Sequence, residues 1–321
     1  MKFRDVEKKI KELETELASI DPADQSEANQ LRAGQLARDR DELLSTLRHP
    51  TAEDKVYLAR HPGRPNITAY IDALFEDFFE LKGDHLCRED GSVLGGIAFY
   101  HGQPVTVIGH RKGKNLEENM ACNFGMPGPE GYRKALRLMK QAEKFGRPVI
   151  TFIDTPGAYP GLEAEAHGQS EAIARNLAEM SLLKVPVIAV VTGEGSSGGA
   201  LALGVANSVI MLENTVYSIL SPEGFASILW KDASRAGEAC EVMKLTAQDL
   251  YGFGIIERIV PEPLGGAQRD PKAVFAATDA AVREELEKLS KQNGAALSAG
   301  RYKKFRAIGA GESSGREEGS V

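Results

Sequence analysis

Gly193-Glu194-Gly195-Ser196-Ser197-Gly198-Gly199-Ala200 is the stretch whose reading decides what kind of chain this is. The apolar run 186–191 precedes it and Leu201-Ala202-Leu203-Gly204-Val205 follows, a pattern that predicts a buried strand, a glycine turn and a helix of small residues. Such a turn bares amide N–H groups at a helix N-terminus. Their partial positive charge suits an anion: a phosphate, a carboxylate, or an oxygen that turns negative only during a reaction.

Three known patterns overlap on this turn. Gly193, Gly195 and Gly198 match G-x-G-x-x-G, and Glu213 stands where a dinucleotide site keeps its ribose-binding acid. Against this, the apolar segments 208–212 and 216–220 are joined so tightly that they read as unable to form a parallel crossover. Gly195, Ser197 and Gly199 also match G-x-S-x-G, the elbow that exposes a nucleophilic serine. In that hydrolase fold the base histidine follows the serine, whereas all six histidines here precede Ser197. A serine activated by His167 or by a lysine on another fold stays open. No Lys-Ser or Lys-Thr pair follows Gly198, which excludes a P-loop. Close packing of strand and helix explains one glycine but poorly explains the cluster.

With 321 residues and 42% hydrophobic content, the chain can bury one large core or two modest ones. A net charge of -7 argues against general binding to nucleic acid or to anionic membranes. The most apolar region, 186–212, is interrupted by Glu194, Asn207 and the glycine turn and does not read as a membrane span. Met1-Lys2-Phe3-Arg4-Asp5-Val6-Glu7 lacks the apolar core of a signal peptide, so a cytoplasmic protein is expected. Cys87, Cys122 and Cys240 are far apart; they complete neither a four-cysteine zinc site nor a disulfide scaffold, and no metal is expected on this chain.

Along the chain, Phe3, Val6, Ile10, Leu13, Leu17 and Ile20 recur in steps of three and four, a heptad seam that Asp21-Pro22-Ala23-Asp24 breaks. A weaker helix runs on to about Leu47. Together they predict a hairpin arm whose seam packs on the chain's own body or on another subunit. Over 51–81 the pattern stays helical, with Ile71, Leu74, Phe75 and Phe78 at helical spacing. Strands are expected at 93–100 and 104–109. The basic run Arg111-Lys112-Gly113-Lys114 then offers either a contact for an anionic cofactor or a solvated face. Tyr132, Ala135, Leu136, Met139, Ala142 and Phe145 share one face of a helix that Gly146-Arg147-Pro148 ends. Strand 149–153 empties into Asp154-Thr155-Pro156-Gly157-Ala158-Tyr159-Pro160-Gly161, a second glycine loop and a second place for bare amides. One helix is expected over 163–183, a helix start at Ser221-Pro222-Glu223, a strand over 255–260, and a last long helix capped by Asp270-Pro271.

Strand-strand-helix units with glycine loops at strand ends carry several long motifs: Leu58-Ala59-Arg60-His61-Pro62, Asn123-Phe124-Gly125-Met126-Pro127, Pro129-Glu130-Gly131-Tyr132-Arg133-Lys134-Ala135-Leu136, Thr151-Phe152-Ile153-Asp154-Thr155-Pro156-Gly157-Ala158-Tyr159-Pro160-Gly161, Gly168-Gln169-Ser170-Glu171-Ala172, Ser221-Pro222-Glu223-Gly224 and Pro261-Glu262-Pro263-Leu264-Gly265-Gly266. In these the sequence resembles the alpha subunits of bacterial acetyl-CoA carboxylase carboxyltransferases, members of the crotonase-like superfamily. The resemblance implies an α/β fold, a crotonase-like spiral of strand-strand-helix units, with the helical arm at 1–50, a carboxyltransferase domain at 51–308 and a disordered tail at 309–321.

It also implies a function. The expected reaction moves a carboxyl group from carboxybiotin, held on the biotin carboxyl carrier protein, to acetyl-CoA, giving malonyl-CoA for fatty-acid synthesis. The expected partners are a beta subunit of similar fold in an alpha-two beta-two assembly and the biotin carboxylase of an ATP-dependent holoenzyme; the family's zinc lies on the beta subunit. In the family's mechanism biotin, once it has lost its carboxyl group, can take the acetyl proton itself, so no side-chain base is obligatory and the protein must supply donors for oxygens that become negative. Gly198 and Gly199 match the oxyanion-hole glycines, assigned to the biotin carbonyl, and Ala158 matches a further amide donor. Gly157, Gly195, Ser197 and Ala200 are expected to line the cofactor. Ser196 departs from the family pattern, which has glycine there. A hydrolase, a dinucleotide-binding oxidoreductase and a non-catalytic scaffold are the alternative readings.

Overall fold

The computed structural model describes residues 3–21 and 26–310. Two helices, α1 (Phe3–Ser19) and α2 (Glu27–Thr46), precede α3 (Ala52–Ala59) and α4 (Ile67–Leu74). Three antiparallel strands follow: β1 (Glu76–Glu80), β2 (Val93–Tyr100) and β3 (Gln103–His110). After α5 (Leu116–Ala121) and a 3-10 turn, α6 (Pro129–Lys144) returns the chain to β4 (Val149–Thr155). Next, α7 (Leu162–Ala166) and α8 (Gln169–Leu182) lead to β5 (Val187–Ser196), and α9 (Ser197–Leu201) leads to β6 (Ser208–Leu212) and β7 (Val216–Ser218). The rest is α10 (Pro222–Trp230), α11 (Ala236–Met243), α12 (Ala247–Gly252), β8 (Arg258–Val260), α13 (Pro271–Leu289) and α14 (Gly294–Ala307).

All eight strands form one sheet, in the order β1-β2-β3-β4-β5-β6-β8, with β7 beside β5. From β3 onward the pairing is parallel, and the central strands are apolar runs buried on both faces, as crossover helices on each side require. Alternate residues serve opposite cores. Ile150, Phe152, Ile188 and Val190 pack with Tyr70 and with Val274, Val282 and Leu286 of α13. Val149, Ile153, Val187 and Val191 pack with Ala135, Leu138 and Met139 of α6 and with Met180 of α8. Both donor loops leave this sheet at the C-terminal ends of neighbouring strands, β4 and β5, which is what brings them together.

Several expectations need correction. The helical pattern over 51–81 ends at Leu74; Phe78 lies in β1, where pairing with β2 overrides its helical spacing. Segments 208–212 and 216–220 are not a tight antiparallel pair. Both run parallel to β5 on one flank, Ile188 opposite Ser208 and Glu194 opposite Val216, like one strand with a jog. The helix expected over 163–183 is broken at Gly168, whose φ of 85° no helix interior adopts. The strand expected over 255–260 is confined to Arg258–Val260, and α14 carries no periodicity that announces it. The break at Pro22-Ala23-Asp24 and the tail beyond Ala310 lie outside the described residues.

In the arm, Phe3, Val6 and Ile10 are buried against Leu47 and Leu58, so the first half of the seam packs on the chain's own body. Glu7 reinforces it by accepting hydrogen bonds from the Tyr57 hydroxyl at 2.6 Å and from Gln268 at 3.1 Å. Among the described residues, no helix is long and apolar enough to cross a membrane.

Candidate active site

β5 does not stop before the glycine turn but runs through it to Ser196, which is extended at φ -122°, ψ 133°. Serine therefore fits where the family pattern has glycine. The chain then turns at Ser197, whose φ of 59° is left-handed and uncommon for a residue with a side chain. The helix beyond is only five residues long, so its summed dipole is small and the amides themselves must do what donating is done. As first-turn groups, the N–H of Gly198 and of Gly199 have no acceptor among the described residues, and neither has that of Ala158.

The Ala158 loop is held from below. Thr155 Oγ1 accepts from the Gly157 N–H at 3.0 Å, the Tyr159 N–H donates to the Pro127 carbonyl at 2.9 Å, and Gln169 Nε2 donates to the carbonyls of Pro127 and Tyr159 at 2.8 and 3.0 Å. The two loops touch. A Cβ on Gly199 would lie 2.6 Å from the Ala158 nitrogen, 2.7 Å from the Gly157 carbonyl carbon and 2.9 Å from the Tyr132 hydroxyl. That hydroxyl is buried without a hydrogen-bond partner among the described residues, and burial holds the phenol far above the ordinary tyrosine range, so it stays neutral. The buried His110 ring lies against the backbone of Gly199 and Phe152, and burial, outweighing those contacts, pushes its pKa down to about 3.

Three of the four glycines now have a packing reason. Gly193 leaves room for the Asp154 carboxylate, Gly195 for the Tyr217 ring and Gly199 for the other loop, whereas a Cβ on Gly198 would meet only Ile173 at an ordinary 3.4 Å. Close packing thus explains most of the cluster. It also removes the dinucleotide reading more soundly than strand order did, because the space beside Gly195 holds an aromatic ring and Glu213 accepts the Glu262 N–H at 3.0 Å. The hydrolase reading fails too: Ser197 is exposed, with no histidine or lysine in hydrogen-bond reach among the described residues, and His167 Nδ1 lies 2.7 Å from Glu130 Oε1. Of the residues expected at the site, Gly157, Ala158, Gly198 and Gly199 come together with Ser197 at the rim. Gly195 sits in the strand ladder and Ala200 in the core.

The basic run divides. Arg111 donates to Cys122 Sγ at 3.2 Å, and Lys112 turns inward to Asp154 Oδ1 at 2.6 Å and Glu194 Oε1 at 3.3 Å; among the described residues Lys112 alone of the three cations forms an ion pair. Burial disfavours the Lys112 ammonium, but the two carboxylates outweigh it and raise its pKa above the ordinary lysine value. Arg60 joins Glu194 at 2.7 Å to Glu223 at 2.8 Å, and Arg64 joins the Thr192 carbonyl to Glu262. Arg60, Arg64, Lys112, Asp154 and Glu194 border a cleft of about 560 Å³ that Phe124 also lines. Tyr132, His110 and the inward turn of Lys112 escaped the sequence, where an aromatic or basic residue on an amphipathic element looks like core or solvated face. The one trio of possible metal ligands among the described residues is Cys87, Glu130 and His167, within 4.8 Å of one another. Its carboxylate already faces Arg133 at 3.4 Å and Arg88 at 3.7 Å, fixed positive charge where a cation would bind.

Comparison with known proteins agrees with this geometry. A family described as acetyl co-enzyme A carboxylase carboxyltransferase-like matches residues 3–309. The acetyl-coenzyme A carboxylase carboxyl transferase subunit alpha of Geobacillus sp. (strain WCH70) is 54% identical over 305 residues, covering 95% of this chain and 93% of that protein. Its counterpart from Listeria monocytogenes serotype 4b (strain CLIP80459) is 58% identical over 259 residues, 81% of each. Among solved structures, transcarboxylase 12S with hydrolyzed methylmalonyl-coenzyme A superposes with a TM-score of 0.58 at 19% identity, over 76% of this chain and 46% of that one. The beta subunit of P. aeruginosa geranyl-CoA carboxylase does so with a TM-score of 0.56 at 13% identity, over 82% and 52%. The structural neighbours show the crotonase-like fold, and the sequence relatives show that the chain belongs to the family of acetyl-CoA carboxylase carboxyl transferase alpha subunits.

Proposed function

We propose that this chain transfers a carboxyl group from a biotin on a separate carrier protein to acetyl-CoA, forming malonyl-CoA, and that it does so only beside a beta subunit. The observation that carries the reading is the set of acceptor-free amides at Ala158, Gly198 and Gly199 on two loops in contact. Bare N–H donors fit an oxygen that gains negative charge, and they fit neither a nucleophile nor a metal.

When bound, the carboxylated biotin supplies the activated carboxyl group and then the base for the acetyl methyl group. The chain's own part is electrostatic. Gly198 and Gly199 donate to the carbonyl oxygen of the biotin ring, each donor worth about 3 kcal/mol in the transition state, and Ala158 adds a third N–H from the neighbouring loop. Ser197 contributes its backbone bend, not its hydroxyl. Tyr132 and His110, buried beside the loops, stay neutral and add no charge of their own next to those donors.

One donor set serves one oxygen, whereas the reaction also places negative charge on the thioester oxygen of acetyl-CoA. The second set, most of the coenzyme contacts and the zinc belong to the beta subunit in this proposal, within an alpha-two beta-two assembly served by the biotin carboxyl carrier protein and an ATP-dependent biotin carboxylase in the cytoplasm. The division into an arm at 1–50, a carboxyltransferase body at 51–308 and a tail at 309–321 belongs to the same proposal. Malonyl-CoA formation should be assayed with the purified chain, with its beta partner, and with both. Turnover by the pair alone is expected, and full turnover by the single chain would overturn the reading.

A further inference from the structure

We propose that Lys112 is a positioning residue, whose ammonium sets the spacing between the two donor loops by holding the carboxylate at the root of each. The proposal rests on the carboxyltransferase reading above. Asp154 stands four residues before Ala158, and Glu194 stands four before Gly198. Both converge on Lys112 Nζ, at 2.6 and 3.3 Å.

A side chain has this task because the sheet cannot perform it. Pairing of β4 with β5 is regular up to Ile153 opposite Val191 and resumes only at Thr155 opposite Gly195, so β5 carries two extra residues in the interval. Ladder hydrogen bonds normally fix the register of neighbouring strands; here they lapse where the two loops begin. Side chains fill the gap. Asp154 Oδ1 accepts the Glu194 N–H at 3.2 Å, with Gly193 lacking the Cβ that would strike that carboxylate, and Arg64 takes the Thr192 carbonyl.

Lys112 is itself held. Its carbonyl accepts from Asn66 Nδ2 at 3.1 Å, and Gly125, at φ 77°, passes its stem where a Cβ would lie 2.8 Å from the Lys112 Cγ. Arg60 braces the second Glu194 oxygen against Glu223. The ammonium is a compact charge, whereas an arginine would impose a longer planar fork on the same carboxylates.

Two variants test this in the assembled complex: Lys112→Arg, which keeps the charge but changes the geometry, and the double variant Lys112→Met with Asp154→Asn, which leaves Glu194 paired with Arg60. Both are expected to melt within a few degrees of wild type, to bind the beta partner, and to keep the KM for acetyl-CoA within about threefold. Their kcat should fall at least tenfold. Amide hydrogen exchange on the isolated full chain supplies a readout independent of activity: peptides covering 155–160 and 195–201 should exchange at least tenfold faster in both variants, with α6 as an unchanged control. Wild-type kcat and exchange in folded variants would overturn the proposal, as would loss of melting temperature and partner binding in step with kcat. If the wild-type complex makes no malonyl-CoA, the function assigned above fails, and the exchange measurement still decides whether Lys112 holds the loops.

Discussion

The Gly199 backbone lies so close against Ala158 that a single added carbon would come within 2.6 Å of the Ala158 nitrogen. Real Cβ atoms do not approach backbone that closely, so Gly199→Ala must push the two donor loops apart. We expect a loss of about a hundredfold or more in kcat, the scale of losing one oxyanion donor. Gly198→Ala is the matched control: its new carbon meets Ile173 at 3.4 Å, its N–H survives, and activity should stay within a few-fold. Steady-state kinetics of the two complexes, with circular dichroism on each, separate these outcomes.

Arg301 is wholly buried, and its guanidinium donates to the carbonyls of Met180, Ser181, Leu183 and Val185 and to Asn207 Oδ1. It thereby satisfies the C-terminal carbonyls of α8 and the linker into β5. Burial lowers its pKa to about 10, which still leaves it charged at neutral pH. Arg301→Ala should cost at least about 3 kcal/mol by urea denaturation, since several buried carbonyls lose their donors together.

The pH dependence of stability should carry a signature of His110. Above about pH 6.5 the imidazole is neutral whether the chain is folded or not. As the pH falls, the unfolded chain takes up a proton that the buried ring refuses until near pH 3, so stability is lost through that window, by up to about 1.4 kcal/mol per pH unit. Replacing His110 by leucine should flatten the slope between pH 6.5 and pH 4. An unchanged slope in denaturation curves across that range would assign the loss to other groups.

Some of this architecture could be read from spacing, and some could not. α6 announces itself because Ala135, Met139 and Ala142 face one core, with Tyr132 buried beside Ala172 and Ala202, and β2 and β3 because alternation and a glycine turn agree with their pairing. Phe75 and Phe78 mislead because a three-residue step also suits a strand that carries a bulge, and Asp77 at φ 51° marks the irregularity. The jog between β6 and β7 is invisible locally, since only β5, residues away, decides that both run parallel to it. At the site the amide-bearing loops were legible from glycine placement. Lys112 was not, because its partners Asp154 and Glu194 are brought near only by the sheet, and a basic residue among others reads as surface.

The arm offers a separate test. Ile10 is fully buried against the chain's own Leu47 and Leu58, while Leu13, one turn on, is only half-buried. Ile10→Asp should therefore destabilise the isolated chain, by about 3 kcal/mol locally, as faster amide exchange across α1. Weakened binding of the beta partner with unchanged exchange would instead place this half of the seam at a subunit contact.

The most direct measurement is the rate of malonyl-CoA formation by the assembled complex carrying Ser197→Ala. Alanine keeps every backbone N–H of the turn and removes only the hydroxyl, so if the amides stabilise the developing oxyanion the variant retains most of the wild-type kcat. A complex that is folded, assembled and yet nearly inactive would mean that the Ser197 oxygen takes part in the chemistry, and would contradict the assignment of catalysis to the backbone.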